Sequence, residues 1–143
     1  MHNVSVMLEM NEVNMAVFKA ILARYKKMNL GVTPVHGRII MFIYDNKLDI
    51  CQKDIEKYVA CNKSTVSAIL NTMEKNDLIV RNGVAGDQRR NIISLTDKSL
   101  KMANKLKDDE KELDDIFKDG ITEQELKLFS EVLCKIKNNI ERI

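Results

Sequence analysis

The stretch from residue 62 to residue 96, NKSTVSAILNTMEKNDLIVRNGVAGDQRRNIISLT, decides the fold of this chain. It opens on Asn62, a residue type that caps helix N-termini, and four apolar residues then recur at helical spacing. These apolar residues are Val66, Ile69, Leu70 and Met73. The sequence therefore predicts an amphipathic helix from Lys63 to Asn76.

A β-hairpin is predicted directly after this helix. Two runs of β-type residues, 78–81 and 91–95, flank a polar turn that contains Gly83 and Gly86. Five glycines and one proline in 143 residues leave little room for further turns. The fold class is therefore predicted as mainly α with a small β-hairpin.

Upstream of residue 62, the pattern predicts a helix-turn-helix. A short helix over 52–58 is followed by the tight connection 60–62, and a helix, a three- or four-residue turn and a second helix form this motif. Thr33 and Pro34, a good N-cap and a good first helical residue, open a densely apolar helix that ends at 45–46. The run 48–50 alternates and predicts one small strand.

Three longer helices surround this centre. The first runs from about Ser5 to Met28 with a wide apolar stripe. Thr96 caps a fifth helix that reaches about Lys118, and a capping box over 122–125 begins the last helix. We expect one domain over 1–143, with a central lobe at about 33–96 and outer helices at about 5–28 and 97–143.

The outward face of the 63–76 helix is suited to DNA. Its members are small, polar or basic, namely Lys63, Ser64, Thr65, Ser67, Ala68, Asn71 and Thr72, and the first acid is Glu74. Such side chains approach the floor of the major groove closely and bond to base edges or phosphates. A solvated face is the ordinary interpretation of one such helix alone. The hairpin that follows, with Arg89 and Arg90 at its tip, favours DNA binding.

At these residues the sequence resembles MarR-type winged helix-turn-helix regulators. Four segments match in order: Gln52-Lys53-Asp54-Ile55 before the turn, Ser64-Thr65-Val66-Ser67 at the start of the recognition helix, Leu78-Ile79-Val80-Arg81 in the next strand, and Asp87-Gln88-Arg89-Arg90-Asn91-Ile92-Ile93-Ser94-Leu95-Thr96 in the wing. Length and helix order agree over nearly the whole chain. Three positions depart from the family pattern. Ala68 replaces a frequent arginine, Asp77 replaces a usual glycine, and Ser99 replaces a glycine that is common soon after Leu-Thr, with no clear consequence.

The resemblance implies a homodimeric DNA-binding regulator whose N-terminal and last two helices dimerise. A two-fold dimer would read a pseudo-palindromic operator with half-sites about 10 bp apart. The predicted DNA-binding residues are Gln52, Lys53, Lys63, Ser64, Thr65, Ser67, Ala68, Asn71, Arg81, Arg89 and Arg90. Arg89 is assigned to the wing tip, Arg90 to a phosphate contact or an ion pair with Asp87, and Asp87 to orienting the arginines.

Composition and charge limit the other classes of function. No apolar stretch approaches a membrane span, and no signal peptide is recognised, so we expect a cytoplasmic protein. Residues 1–96 carry 13 basic and 9 acidic residues, whereas 97–143 carry 10 and 12, so only the first part favours an anion. No nucleophile–base pair, phosphate loop or carboxylate dyad indicates an enzyme, and no cofactor is expected.

Metal or redox sensing has little support in the sequence. The only histidines are His2 and His36, and no ligand cluster suggests a metal site. For Cys51, Cys61 and Cys134, burial as small apolar residues is a simpler interpretation than oxidant sensing.

A small-molecule effector is implied by the resemblance alone. Candidate residues for a cleft between the lobes are Met10, Met15, Phe18, His36 and Met41, although core packing is the simpler interpretation for all but His36. The leading hypothesis is a homodimeric repressor released from DNA by an effector. The alternative is a helical interaction module that kept the fold but lost DNA binding, which the absent arginine at Ala68 favours.

Overall fold

The computed structural model describes residues 3–84 and 86–143, without the side chains of Val84 and of residues 87–90. Its elements are α1 (Val6–Met28), α2 (Pro34–Asp45), α3 (Gln52–Val59), α4 (Lys63–Lys75), β1 (Ile79–Val84), β2 (Asp87–Leu95), α5 (Asp97–Lys118) and α6 (Glu123–Ile140). β1 and β2 pair antiparallel. The predicted fold, mainly α with a β-hairpin, is confirmed.

The prediction of a small strand over residues 48–50 was wrong. The segment makes one sheet-like contact, in which the Ile93 amide donates to the Ile50 carbonyl at 2.8 Å. Three residues with a single such bond do not form a ladder, so the described residues hold a two-stranded sheet. The strands of the hairpin are instead longer than predicted, with a register shift between Gly83 and Val84.

The core lies among α2, α3, α4 and the hairpin. Apolar side chains from each of these elements are almost fully buried, namely Ile39, Ile40, Ile55, Val66, Leu70, Met73, Leu78 and Ile79. Burying such a side chain contributes roughly 1.5–3 kcal/mol. The inward face predicted for α4 is therefore observed, except that Ile69 is only partly buried.

Helices α1 and α2 approach each other closely at Gly37. A methyl group built on Gly37 would lie 2.0 Å from the Tyr25 hydroxyl oxygen and 2.7 Å from its Cζ. Only a residue without a side chain fits there, because real Cβ atoms do not come so close to other heavy atoms. Gly37 thus lets the ring of Tyr25 join the core.

The turn between α4 and β1 is bonded to the start of α5. Asp77 adopts the left-handed conformation (φ 57°), which aspartate tolerates better than most residues. The Thr96 hydroxyl donates to the Asp77 carbonyl at 2.7 Å, and the Lys98 ammonium donates to the Asn76 carbonyl at 3.0 Å. These bonds connect the base of the hairpin to the first turn of α5.

Ser99 has a role that the sequence did not reveal. It is fully buried, its amide donates to Thr96 Oγ1 at 3.2 Å, and the Thr96 amide donates to Ser99 Oγ at 2.9 Å. The two residues cap α5 reciprocally, which satisfies backbone N–H groups that a helix start leaves without partners.

The chain divides into two compact units, of which the first ends at Lys107 and the second comprises Asp108–Ile143. In the second unit, α6 begins with the predicted capping box. The Glu125 amide donates to Thr122 Oγ1 at 3.2 Å, and the Thr122 amide donates to Glu125 Oε2 at 2.8 Å. The bond from the Thr122 backbone holds the pKa of the Glu125 carboxyl below its usual value.

This capping box predicts a pH dependence of stability. Because the Glu125 pKa is lower in the folded chain, the carboxylate stabilises the fold above its ordinary pKa, and that contribution is lost as pH falls through the lowered value. Glu125→Gln should therefore lower the melting temperature at pH 7 and approach the parent protein in acid. Glu123→Gln removes the same charge from the same helical turn and is the control. Equal pH profiles for the two variants would contradict the role given to Glu125.

Candidate nucleic-acid interface

The start of α4 is fixed by its N-cap. Asn62 Oδ1 accepts from the Thr65 amide at 2.9 Å and from the Ser64 hydroxyl at 3.1 Å. Lys63, Ser64 and Thr65 are exposed around this end. Backbone N–H groups and the helix dipole favour an anion there, and Lys63 adds a positive charge.

The outward face of α4 presents the side chains that the sequence predicted. Ala68, Asn71 and Thr72 are exposed, and Ser67 is partly buried. The Thr72 hydroxyl donates to the carbonyl of Ala68 at 3.1 Å, so its proton is already used within the helix. The Ser64 hydroxyl likewise donates within the chain, to Asn62 Oδ1, so the oxygens of Ser64 and Thr72 are left to accept a hydrogen bond.

Helix α3 supports the start of α4. Gln52 lies at the first position of α3, and its side-chain amide donates to Glu56 Oε1 at 3.3 Å and to the Lys63 carbonyl at 3.4 Å. Lys53 is exposed. The structure therefore places Gln52 between the two helices of the motif, while a DNA contact of either residue stays a prediction.

Arg81 has partners within the chain. Its Nη2 donates to Asn71 Oδ1 at 2.9 Å, and its Nε lies 3.4 Å from Glu74 Oε2. Among the described residues Nε has no aligned hydrogen bond, so the Glu74 contact is an ion pair. The sequence grouped Arg81 with the DNA contacts but did not reveal this link from β1 back to α4.

The predictions for the wing tip lie outside the described side chains. They concern Asp87, Arg89 and Arg90, whose backbone forms the start of β2. Their roles stay predictions.

The five candidate effector residues all belong to α1 and α2. Met10, Met15 and Phe18 are exposed, with 60% of Met15 accessible, whereas His36 and Met41 are partly buried. Burial lowers the pKa of His36, and its buried Nδ1 has no hydrogen-bond partner among the described residues. Its backbone amide donates to the Thr33 side chain, which caps α2.

An open cavity of about 350 Å³ lies elsewhere in the first unit. It is lined by residues from the end of α2, the following segment, β2 and the start of α5, including Tyr44, Leu48, Ile50, Ile93 and Leu100. None of the five candidate effector residues lines it. The effector cleft therefore stays a prediction.

The cysteines occupy three different environments. Cys51 is the N-cap of α3, where Asp54 Oδ2 accepts from its amide at 2.9 Å and from its thiol at 3.1 Å. Cys51 and Cys61 are partly buried and Cys134 is exposed, so the burial expected from the sequence is partial for the first two and wrong for Cys134. Nowhere in 3–84 and 86–143 do three metal-ligating side chains of His, Cys, Asp or Glu cluster.

No helix within the described part of the chain combines the length and the apolar character needed to cross a membrane. Taken together, α3, the turn at 60–62, α4 and the hairpin define a winged helix-turn-helix protein.

Comparison with known proteins supports the family resemblance. Residues 30–90 match the model of the MarR family. No curated protein matches the sequence significantly. The resemblance to MarR-type winged helix-turn-helix regulators is thus confirmed, and members of this family are transcriptional regulators rather than enzymes.

Solved structures share this fold over nearly the whole chain. A MarR protein from Peptoclostridium difficile has 20% identity and a TM-score of 0.84, covering 98% of this chain and 90% of its own. The S. aureus MepR–DNA complex has 19% identity and a TM-score of 0.86, with coverage of 96% and 99%. A MarR family regulator from Listeria monocytogenes complexed with a 26mer DNA has 19% identity and a TM-score of 0.82, with coverage of 96% and 89%.

Proposed function

We propose that this chain binds double-stranded DNA through α4 and the hairpin and regulates transcription as a homodimer. The observation that carries the proposal is the outward face of α4, which is exposed, polar and without an acid before Glu74. Its capped N-terminus and Lys63 favour phosphate, while Ser64, Ser67 and Asn71 have the chemistry to contact base edges. Two structures with the same fold contain DNA, which supports this use of the fold.

The homodimer is supported by exposed apolar side chains on the outer helices. In α1, Met7, Val13 and Phe18 are more than half exposed, and in α6 so are Leu128 and Phe129. Large apolar side chains that stay exposed on a helix are typical of surfaces that bind another protein. A two-fold dimer would present two copies of α4 to half-sites about one duplex turn apart. Light scattering at micromolar concentration should then give twice the mass of the chain.

We propose further that the protein represses transcription and that a small molecule releases it from DNA. Both proposals rest on the family resemblance, on His36, whose buried Nδ1 has no hydrogen-bond partner among the described residues, and on the exposed Met10, Met15 and Phe18 of α1. A ligand with a polar group and an apolar body would match such residues. We expect this effector to lower the affinity for the operator.

The test is direct binding to DNA, measured by fluorescence anisotropy. The protein should bind duplexes from its own upstream region more tightly than scrambled duplexes of equal length, with affinity that falls as salt rises. Selection of bound sequences from a random pool should return a pseudo-palindrome, and a repeat with candidate effectors should show release. Binding no better than to scrambled DNA at low salt would instead favour the interaction module.

A further inference from the structure

We propose that Arg81 is a positioning residue that holds Asn71 with its amide nitrogen outward, so that Asn71 reads DNA as a hydrogen-bond donor. This inference rests on the proposed DNA binding. It concerns one exposed side chain on α4 and one partly buried side chain on β1. It also assigns Arg81 a role different from the direct DNA contact predicted from the sequence.

The orientation of the Asn71 amide follows from the chemistry of its partner. A guanidinium group has five N–H donors and no acceptor, so only the amide oxygen can face it. Arg81 Nη2 lies 2.9 Å from Asn71 Oδ1, which is the length of a charge-assisted hydrogen bond. The opposite rotamer would bring two donors together. The Nδ2 amino group of Asn71 is therefore the end that points away from Arg81.

Glu74 keeps Arg81 in place for this task. The Arg81 side chain is only 22% exposed, and its Nε lies 3.4 Å from the Glu74 carboxylate, one turn of α4 beyond Asn71. The Glu74 carboxylate offsets the positive charge of Arg81, which a contact with a DNA phosphate would use. Arg81 thus bridges two residues on the same face of α4, three positions apart, from the neighbouring strand.

A fixed donor discriminates among bases in the major groove. Guanine presents the acceptors N7 and O6 there, adenine presents N7, and thymine presents O4, whereas cytosine presents only the donor N4–H₂. An outward Asn71 amino group can bond to each of the first three and not to cytosine. We therefore expect one position in each half-site at which cytosine is excluded.

The experiment compares base preference and salt dependence in five proteins, by selection and by anisotropy on single-base variants of the selected site. The parent protein should bind the cytosine variant at the Asn71 position about tenfold more weakly. Asn71→Asp keeps an acceptor for Arg81 but loses the donor, so the exclusion of cytosine should disappear or reverse. Arg81→Met frees the amide to rotate, so the discrimination should fall below about threefold with an unchanged salt slope.

Asn138→Asp is the matched control. It makes the same amide-to-carboxylate change on the exposed surface of α6, outside the proposed DNA interface, so the base preference should stay as in the parent protein. Arg81→Lys keeps a charged donor and should restore part of the discrimination. Because Asn71 is exposed, Asn71→Asp is expected to fold even where Arg81→Met does not.

The outcomes separate the inference from the proposed function. An Asn71→Asp protein that still excludes cytosine would overturn the inference. So would an Arg81→Met protein whose salt slope falls by about one for each chain, since that marks Arg81 as a phosphate contact. A parent protein that prefers no sequence over scrambled DNA would refute the proposed function itself.

Discussion

Arg89→Ala should weaken binding to specific and scrambled DNA alike, by about tenfold, and flatten the salt slope by about one for each chain. The sequence predicts this arginine at the tip of the hairpin, within reach of the phosphates or the minor groove. A phosphate or minor-groove contact there releases counterions on binding whatever the base sequence. The loss is therefore uniform across sequences, and a salt titration by anisotropy measures it directly.

Lys127→Ala is the charge-matched control for this variant. It removes one positive charge from the exposed surface of α6 rather than from the hairpin. Its affinity and salt slope should equal those of the parent protein. An Arg89→Ala protein with the parent's salt slope would show that Arg89 does not contact the DNA backbone.

Gly37→Ala should destabilise the fold by about 2 kcal/mol, because the added methyl group has no space. Its carbon would lie 2.0 Å from the Tyr25 hydroxyl oxygen and 2.8 Å from the ring carbon Cε2. Either α1 must move away from α2 or the ring must leave the core. The measurement is urea unfolding followed by circular dichroism at fixed protein concentration.

Gly83→Ala serves as the control for this change. Among the described atoms, a methyl group on Gly83 would meet only Asn91 Oδ1, at the ordinary contact distance of 3.8 Å, so stability should change little. Combined with Tyr25→Ala, the Gly37→Ala change should cost less than it does alone, because the clashing ring is gone. If the losses in unfolding free energy of the two single variants simply add in the double variant, the close approach to Tyr25 is not the cause of the Gly37→Ala destabilisation.

The elements that rest on local signals could be predicted from the sequence. The 3.6-residue period of Val66, Leu70 and Met73 and the caps at Asn62 and Thr122 depend on neighbours within a few residues, and the structure places these helices as expected. The prediction of a strand over 48–50 was wrong because alternation of residue types alone does not show whether a partner strand is close enough to form a ladder. Its single bond to Ile93 is a product of tertiary packing.

The candidate site was predictable in composition but not in its internal bonds. The exposed face of α4 follows from periodicity, whereas the Arg81–Asn71 bond joins residues ten positions apart and depends on how β1 leaves the turn. Ser99 illustrates the same limit, since its burial and its cap with Thr96 follow from the packing of α5 rather than from its residue type.

The bonds at the base of the hairpin bear on how a signal could reach DNA. The side chains of Thr96 and Lys98 donate hydrogen bonds to the backbone carbonyls of Asp77 and Asn76, which follow α4. The turn that contains these carbonyls continues directly into β1. A displacement of the first turn of α5 would therefore move the end of α4 and the start of β1 in the same direction. Two hydrogen bonds would transmit such a movement to both DNA-facing elements at once.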